Sequence, residues 1–301
     1  MSEQGTTNSE KFAPLNLSRE EIIRYTPEWE GERFPDGRPK VSDDIIERMK
    51  AVTVEEAWSV LRGEGYEWQY EGDWECTEPG TPLVGRAVTA MYMPRREVMR
   101  ELIFDQAHEA GCVGDQVSWP IDTLVEGDVY VADVFGKIAD GAVVGSNLST
   151  SIYAKSGNGV VHNGSVRDLE KVKKISGYNG FFRGYHPTAA TSTIMLVGIN
   201  TPIRIGDVTV MPGDVILGKD EGVVVIPPHL AEKVVITSEI VRLRDTFGEI
   251  RLKEGKYTPG EIDRRWTDNI EEDFAQWVEE HMDELPVPRE TMQEYLKTRT
   301  W

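Results

Sequence analysis

Cysteine is nearly absent: Cys76 and Cys112 are the two in 301 residues, and they form no CxxC pair. Two thiols cannot build a disulfide framework or a thiolate zinc site, which predicts a reducing, cytoplasmic setting. Histidine is also sparse. His108, His162, His186, His229 and His281 make no HxH or HExxH pair, so a histidine-built metal site is not expected. Basic residues are outnumbered, 33 against 52 acids, for a formal net charge of -19. Such a chain repels nucleic acid and anionic membrane, and neither is expected as a partner. A single Arg can still reverse the field inside one pocket, so an anionic substrate stays open. No apolar run approaches the length of a membrane span, and the polar opening MSEQGTTNSEKFAPLNLS has no signal-peptide core. GxSxG and Walker A sequences are missing, and GKDEG lacks the glycine spacing of a dinucleotide loop, which leaves nucleotide chemistry without support.

The residues that are present suit a folded enzyme-sized body. Hydrophobic residues make up 39% and charged residues 28%, enough apolar chain for a sizeable core in one large domain with extensions or in two domains. Residues 1–40 contain RYTPEWEGERFPDGRPK, rich in Pro, Gly and charge, and read as an extended or partly disordered arm. Residues 41–82 hold two helical signals, Ser42 before DDIIERM and a Thr53/Glu56 capping box, followed by a polar loop carrying Trp68, Tyr70 and Trp74. From Leu83 to Leu230, strand-like runs alternate with helical ones: LVGRAVTAMYM, then VMRELIFDQAHEAG, GDVYVADVFG, NLSTSIYAKSG, GVVHNG, RDLEKVKKIS and STIMLVG. The run DVTVMPGDVILGKDEGVVVIPP reads as two or three strands joined by Pro-Gly-Asp and Glu-Gly turns. This interleaving predicts an α/β sandwich with mixed sheets. Residues 231–301 are helical and acidic, with Ile270, Phe274, Trp277 and Val278 on one stripe that is expected to dock on the body or on a neighbouring subunit. KYTPGEIDRRW places Thr258, Pro259 and Glu261 as a helix start and reads as structural.

The stretch GVVHNGSVRDLEKVKK, residues 159–174, carries the main chemical question. Neighbouring residues on a helix point about 100° apart, so Arg167 and Asp168 cannot pair there. At a strand-to-helix corner they can line one pocket. Asp168 could then ligate a hard cation, and Arg167 could hold a carboxylate or keto oxygen with its planar fork. The simpler alternative is a solvated helix start with Asp168 answering the helix dipole. Gly145 heads a short helix whose free N–H groups suit an anion, or it is a plain turn glycine. His162, beside Asn163 and Gly164, either faces the same pocket or is a structural histidine.

The segments VGRAVTA, GDVYV, ADGAVVGSNLSTSIYAKSGNGVVHNGSVRD, FFRGYHP and VTVMPGDVILGKDEGVVVIPP occur in the order found in the RraA-like family, and residues 83–230 resemble it. That family holds 4-hydroxy-4-methyl-2-oxoglutarate/4-carboxy-4-hydroxy-2-oxoadipate aldolases and the regulator of ribonuclease E activity. The resemblance implies an α/β fold of the swivelling β/β/α sandwich type, here with an N-terminal arm and a helical acidic C-terminal extension. It implies a divalent-metal-dependent lyase of the class II pyruvate aldolase type, cleaving a 4-hydroxy-2-oxo acid or decarboxylating oxaloacetate. Asp168 would hold Mg2+ or Mn2+, Arg167 would bind the keto and enolate oxygen, and Gly145, Ser146, Asn147 and Leu148 would cradle the carboxylate. His162 is a further substrate-binding candidate. A homotrimer or homohexamer is implied as the assembly. A hydro-lyase on a sugar-derived acid and a non-catalytic protein-binding regulator are the alternatives. This chain departs from the aldolases at three places: Ser146 and Asn163 stand where they carry acids, and Lys219 alters the Asp-x-Asp-Gly hairpin.

Overall fold

The computed structural model describes residues 15–282, 287 and 289–298. Within them the chain divides into two compact units, the division falling between Ala231 and Glu232 in sequence. The strands are β1 (Tyr70–Glu71), β2 (Glu75–Cys76), β3 (Leu83–Pro94), β4 (Asp128–Val144), β5 (Val160–Val166), β6 (Gly180–Tyr185), β7 (Ile194–Ile199), β8 (Ile203–Ile205), β9 (Val208–Val210), β10 (Val215–Lys219) and β11 (Gly222–Ile226). The helices of the first unit are α1 (Arg19–Tyr25), α2 (Asp43–Met49), α3 (Val54–Gly63), α4 (Glu97–Glu109), α5 (Trp119–Asp122), α6 (Ser146–Ser156) and α7 (Leu169–Val172).

One mixed sheet organises this unit, in the order β1-β11-β10-β3-β4-β5-β6-β2 with β7 paired to β3. The central four strands, β3 to β6, run parallel. Antiparallel strands flank them on both sides. The two ends of the path, β1 and β2, are separated in sequence by only Gly72, Asp73 and Trp74. Eight strands laid flat would put those ends about 34 Å apart. A connection of that length reaches about 14 Å at most. The sheet therefore curls back on itself. Arg183 of β6 closes the gap by donating to the carbonyl of Gly72 (2.6 Å) and pairing with Glu71.

The curl divides the core in two. Val129, Val131, Val161, Phe181, Ile216, Val223 and Val225 fill the inside together with β8 and β9. The other face carries Val88, Tyr130, Val160, Val166 and Phe182 and is covered by α4, α5 and α6. This is the mixed α/β sandwich expected from the sequence.

Local signals explain most elements. Ser42 caps α2, the Thr53/Glu56 capping box opens α3, and Gly157 ends α6 at φ +65. The RDLEKVKKIS segment departs from expectation: only one helical turn, α7, forms. Residues 15–40 also differ from a loose arm. Ser18 and Glu21 make a capping box at the start of α1. Arg38 is buried and bonds Asp128 at 2.8 Å and Asp36 at 2.7 Å, so the proline- and glycine-rich segment is tied to the start of β4. Residues 1–14 of the expected arm lie outside the described residues.

The aromatic loop forms the two sheet edges. Trp74 lies under the Arg183 guanidinium at 3.7 Å, and the Tyr70 hydroxyl donates to the carbonyl of Glu221. Trp68 stays exposed.

The second unit is helical: α8 (Ala231–Lys253), α9 (Pro259–Ile262), α10 (Asp268–His281) and α11 (Arg289–Thr298). The stripe Ile270, Phe274, Trp277 and Val278 is buried as its spacing predicts. Its partner differs from the expected body or neighbouring subunit. The 23-residue α8 offers Ile240, Leu243 and Phe247, and Phe247 meets the rings of Phe274 and Trp277 at 5.4 and 5.9 Å. The Thr258/Glu261 capping box with Pro259 forms as a structural helix start.

Candidate active site

Parallel pairing of β4 with β5 places Val144 opposite Val166. The residues that follow each strand therefore leave the sheet side by side, at the carboxyl ends of parallel strands, where open α/β sheets bind ligands. Arg167 donates its backbone N–H to the carbonyl of Val144 at 3.1 Å. Asp168 then turns the chain into α7 with φ +58 and ψ 33. A left-handed conformation costs an L-residue about 1–2 kcal/mol, and Asp tolerates it better than most. Because neither residue is helical at this corner, the two adjacent side chains do meet. Arg167 Nη1 lies 3.3 Å from Asp168 Oδ2.

Asp168 occupies the N-cap position of α7, yet its side chain makes no capping bond there. The carboxylate reaches across to the start of α6 instead. Its Oδ2 accepts from the Ser146 N–H and the Ser146 hydroxyl, both at 3.3 Å. Gly145 makes this approach feasible. A Cβ there would stand 2.9 Å from Asp168 Oδ2 and 3.0 Å from Arg167 Nε. Gly145 has an ordinary extended φ, so the requirement is space rather than backbone conformation.

The corner keeps unspent bonding capacity. Among the described residues, no protein acceptor meets the N–H groups of Asn147 or Leu148 in the first turn of α6. Asp168 Oδ1 takes part in none of the bonds to Ser146 and Arg167. The side chains of Arg167 and Asp168 are 40% and 32% exposed, so solvent and a small ligand reach them. Leu148 packs partly on the core, which fixes the helix start.

Among the described residues there is no cluster of three or more His, Cys, Asp or Glu, so the chain offers no all-protein cage. A hard cation fits in a different way. Mg2+ commonly takes one or two carboxylates and completes its shell with water and substrate oxygens. Asp168 Oδ1, outside the bonds to Ser146 and Arg167, would supply one such ligand.

His162 is placed elsewhere. Alternation along β5 puts it on the helix-covered face with Val160 and Val166, fully buried and 5.9 Å from Phe182. Burial lowers its imidazole to about 4, so it is neutral at pH 7. Gly164 leaves room for the ring, since a Cβ there would stand 2.9 Å from His162 Nε2. The substrate-facing role considered for His162 gives way to a core role.

Asn163, on the opposite face, belongs to a network that sequence reasoning missed. It donates to Asp133 Oδ1 at 3.0 Å and accepts from Arg183 Nε at 3.1 Å. Asp133, Asn163 and Arg183 sit on adjacent strands, and the only sequence signal was the period-two alternation of β4, β5 and β6. Burial pushes the Asp133 carboxyl above its ordinary range, against the lowering effect of Asn163. Of the other two departures, Ser146 bonds Asp168 directly. Lys219 Nζ donates to the carbonyl of Lys50.

Comparison with known proteins agrees with this fold. The Aldolase/RraA model of the RraA-like family matches residues 53–225. The chain belongs to this family. The match starts well before the resemblance at residue 83, so α3 and the aromatic edge strands are part of it. Protein DlpA of Legionella pneumophila is 28% identical over 166 residues, covering 55% of this chain and 25% of that protein. A putative 4-hydroxy-4-methyl-2-oxoglutarate aldolase of Halalkalibacterium halodurans is 36% identical over 112 residues, covering 36% of this chain and 50% of the relative. The chain thus matches half or less of the length of these two relatives. The crystal structure of Streptomyces coelicolor RraAS2, a member of the RNase ES inhibitor RraA family, superposes with a TM-score of 0.58 at 22% identity, covering 71% of this chain and 98% of that one. At that identity the likeness is one of fold.

Proposed function

We propose that the protein is a divalent-metal-dependent carbon–carbon lyase acting on a 2-oxo acid. The observation that carries this reading is the convergence of Arg167, Asp168 Oδ1 and the N–H groups of Asn147 and Leu148 on one solvent-reached corner. A solvated helix start would leave Asp168 capping α7, and it does not.

In this reading Asp168 Oδ1 holds Mg2+ or Mn2+ together with water. The bound cation supplies Lewis-acid polarisation of the 2-oxo group. Arg167 presents fixed positive charge and N–H donors to the keto oxygen, where negative charge grows as the C3–C4 bond breaks. The N–H groups of Asn147 and Leu148, at the positive end of the 11-residue α6, receive the substrate carboxylate. Ser146 and Arg167 hold Asp168 Oδ2, which leaves Oδ1 outside those bonds. No lysine Schiff base is required. The name of the aldolase relative supports a 4-hydroxy-2-oxo acid as the substrate class; the same bond cleavage applied to oxaloacetate would have CO2 as the leaving piece. A homotrimer or hexamer belongs to the same reading, and light scattering checks it.

The test is pyruvate release, coupled to lactate dehydrogenase, across 4-hydroxy-2-oxo acids and oxaloacetate with added Mg2+ or Mn2+. Metal-stimulated NADH consumption is expected with at least one of them. A flat trace across the set sinks the reading.

A further inference from the structure

A cavity of about 230 Å3 lies in the first unit, lined by none of the corner residues. Its walls come from three places: the turn after α1, the loop after α3, and the turns that flank β10 and β11. Trp29, Tyr25 and Tyr66 supply aromatic surface, Glu28 and Asp214 supply carboxyl groups, and His229 sits 5.8 Å from the Tyr66 ring. No Lys or Arg is among the residues that line it.

The walls are fixed in advance. Arg33 donates to the hydroxyl and carbonyl of Thr26 and to the carbonyls of Trp29 and Gly37, so its fork braces the turn from behind. The Trp29 indole N–H donates to the carbonyl of Glu32 at 2.7 Å, which sets the ring plane. Asp214 is 3% exposed, and its Oδ2 accepts only the Met211 N–H, at 2.7 Å. Burial pushes this carboxyl up to about 8. Burial, followed by the carboxyls of Glu28 and Asp214, also pushes the Tyr66 phenol up, so both acids act on the same small space. Aromatic faces attract a cation through their quadrupole, and a desolvated carboxylate gains most from an opposite charge.

We propose that this cavity binds a small alkylammonium cation, with its apolar shell on Trp29, Tyr25 and Tyr66, with Glu28 as counter-charge, and with Asp214 releasing its proton to solvent to become a second one as the cation enters. Its volume lies below the usual range for drug-sized ligands, which suits a single ammonium head group. Braced walls keep the ordering cost of binding small.

Calorimetric titration of the full chain with tetramethylammonium, n-butylammonium and the neutral isostere 2,2-dimethyl-1-propanol tests this. At least one cation is expected to bind at least about tenfold more tightly than the alcohol. Asp214→Asn keeps an acceptor for Met211 and should weaken binding at least about fivefold, as should Trp29→Leu. Glu28→Gln, at an exposed position, gives a smaller loss in the same direction and serves if Asp214→Asn or Trp29→Leu fails to fold. A lysine side chain shares this chemistry. Tighter binding of Nα-acetyl-lysine methylamide than of n-butylammonium assigns the source to a protein, and weaker or equal binding assigns it to a free amine. Absence of binding by both cations, equal binding of the alcohol, or full affinity in the variants that fold overturns the proposal.

Discussion

Asn163 and Arg167 lie four residues apart at the end of β5, and their polar groups are used in opposite ways. Asn163 is buried, with Asp133 and Arg183 as fixed partners. Arg167 and Asp168 hold each other and Ser146 but keep an open carboxylate oxygen, and two free N–H groups stand beside them. A polar cluster closed on itself locks a sheet. A polar cluster with open capacity is where a ligand can bind. The contrast separates two jobs that the aldolase resemblance had placed near one another.

The sharpest way to break this contrast is to remove the open oxygen. Asp168→Asn should lower kcat/KM at least about a hundredfold while the thermal midpoint stays close to wild type. Arg167→Lys keeps the charge but loses the planar fork, and a loss of about tenfold to a hundredfold in kcat/KM is expected from the same assay. Gly145→Ala pushes on Asp168 and Arg167 without entering the core. It should reduce kcat about tenfold and leave the fold, seen by circular dichroism, unchanged.

The closed cluster should respond the other way. Arg183→Ala removes the cation paired with Glu71 and opens the seam between β1 and β6. It should cost about 2–3 kcal/mol in urea unfolding while leaving the metal dependence of the proposed activity intact in the folded protein.

A different kind of effect concerns pH. Burial raises the Asp214 carboxyl from 3.8 to about 8 in the folded state. Between those values the unfolded chain releases a proton that the folded chain keeps, so this group makes stability fall as pH rises through the window. Below it, and above about 8, its contribution is flat. Asp214→Asn should therefore flatten the wild-type decline in thermal midpoint between pH 5 and pH 8.

Much of the frame was legible because it rests on local rules. Ser42, Thr53 with Glu56, and Thr258 with Glu261 mark helix starts through one side chain and one N–H. The stripe on α10 follows helical spacing, although its partner on α8 could not be read from the stripe itself. What escaped depends on contacts distant in sequence. The Arg38–Asp128 bond spans 90 positions, and the sheet closes through Arg183 and Glu71. At the corner, the residues were legible but their geometry was not. The left-handed turn at Asp168 and the approach of Ser146 need the parallel register of β4 and β5. The burial of His162 was within reach, since alternation forbids His162 and Asn163 from facing the same side.

Binding of Mn2+ in the presence of pyruvate, followed by electron paramagnetic resonance, tests the central claim most directly. The wild-type protein should bind one Mn2+ per chain at the corner, and Asp168→Asn should lose that signal while Asn163→Asp keeps it. Undiminished Mn2+ binding by a folded Asp168→Asn variant would contradict the account.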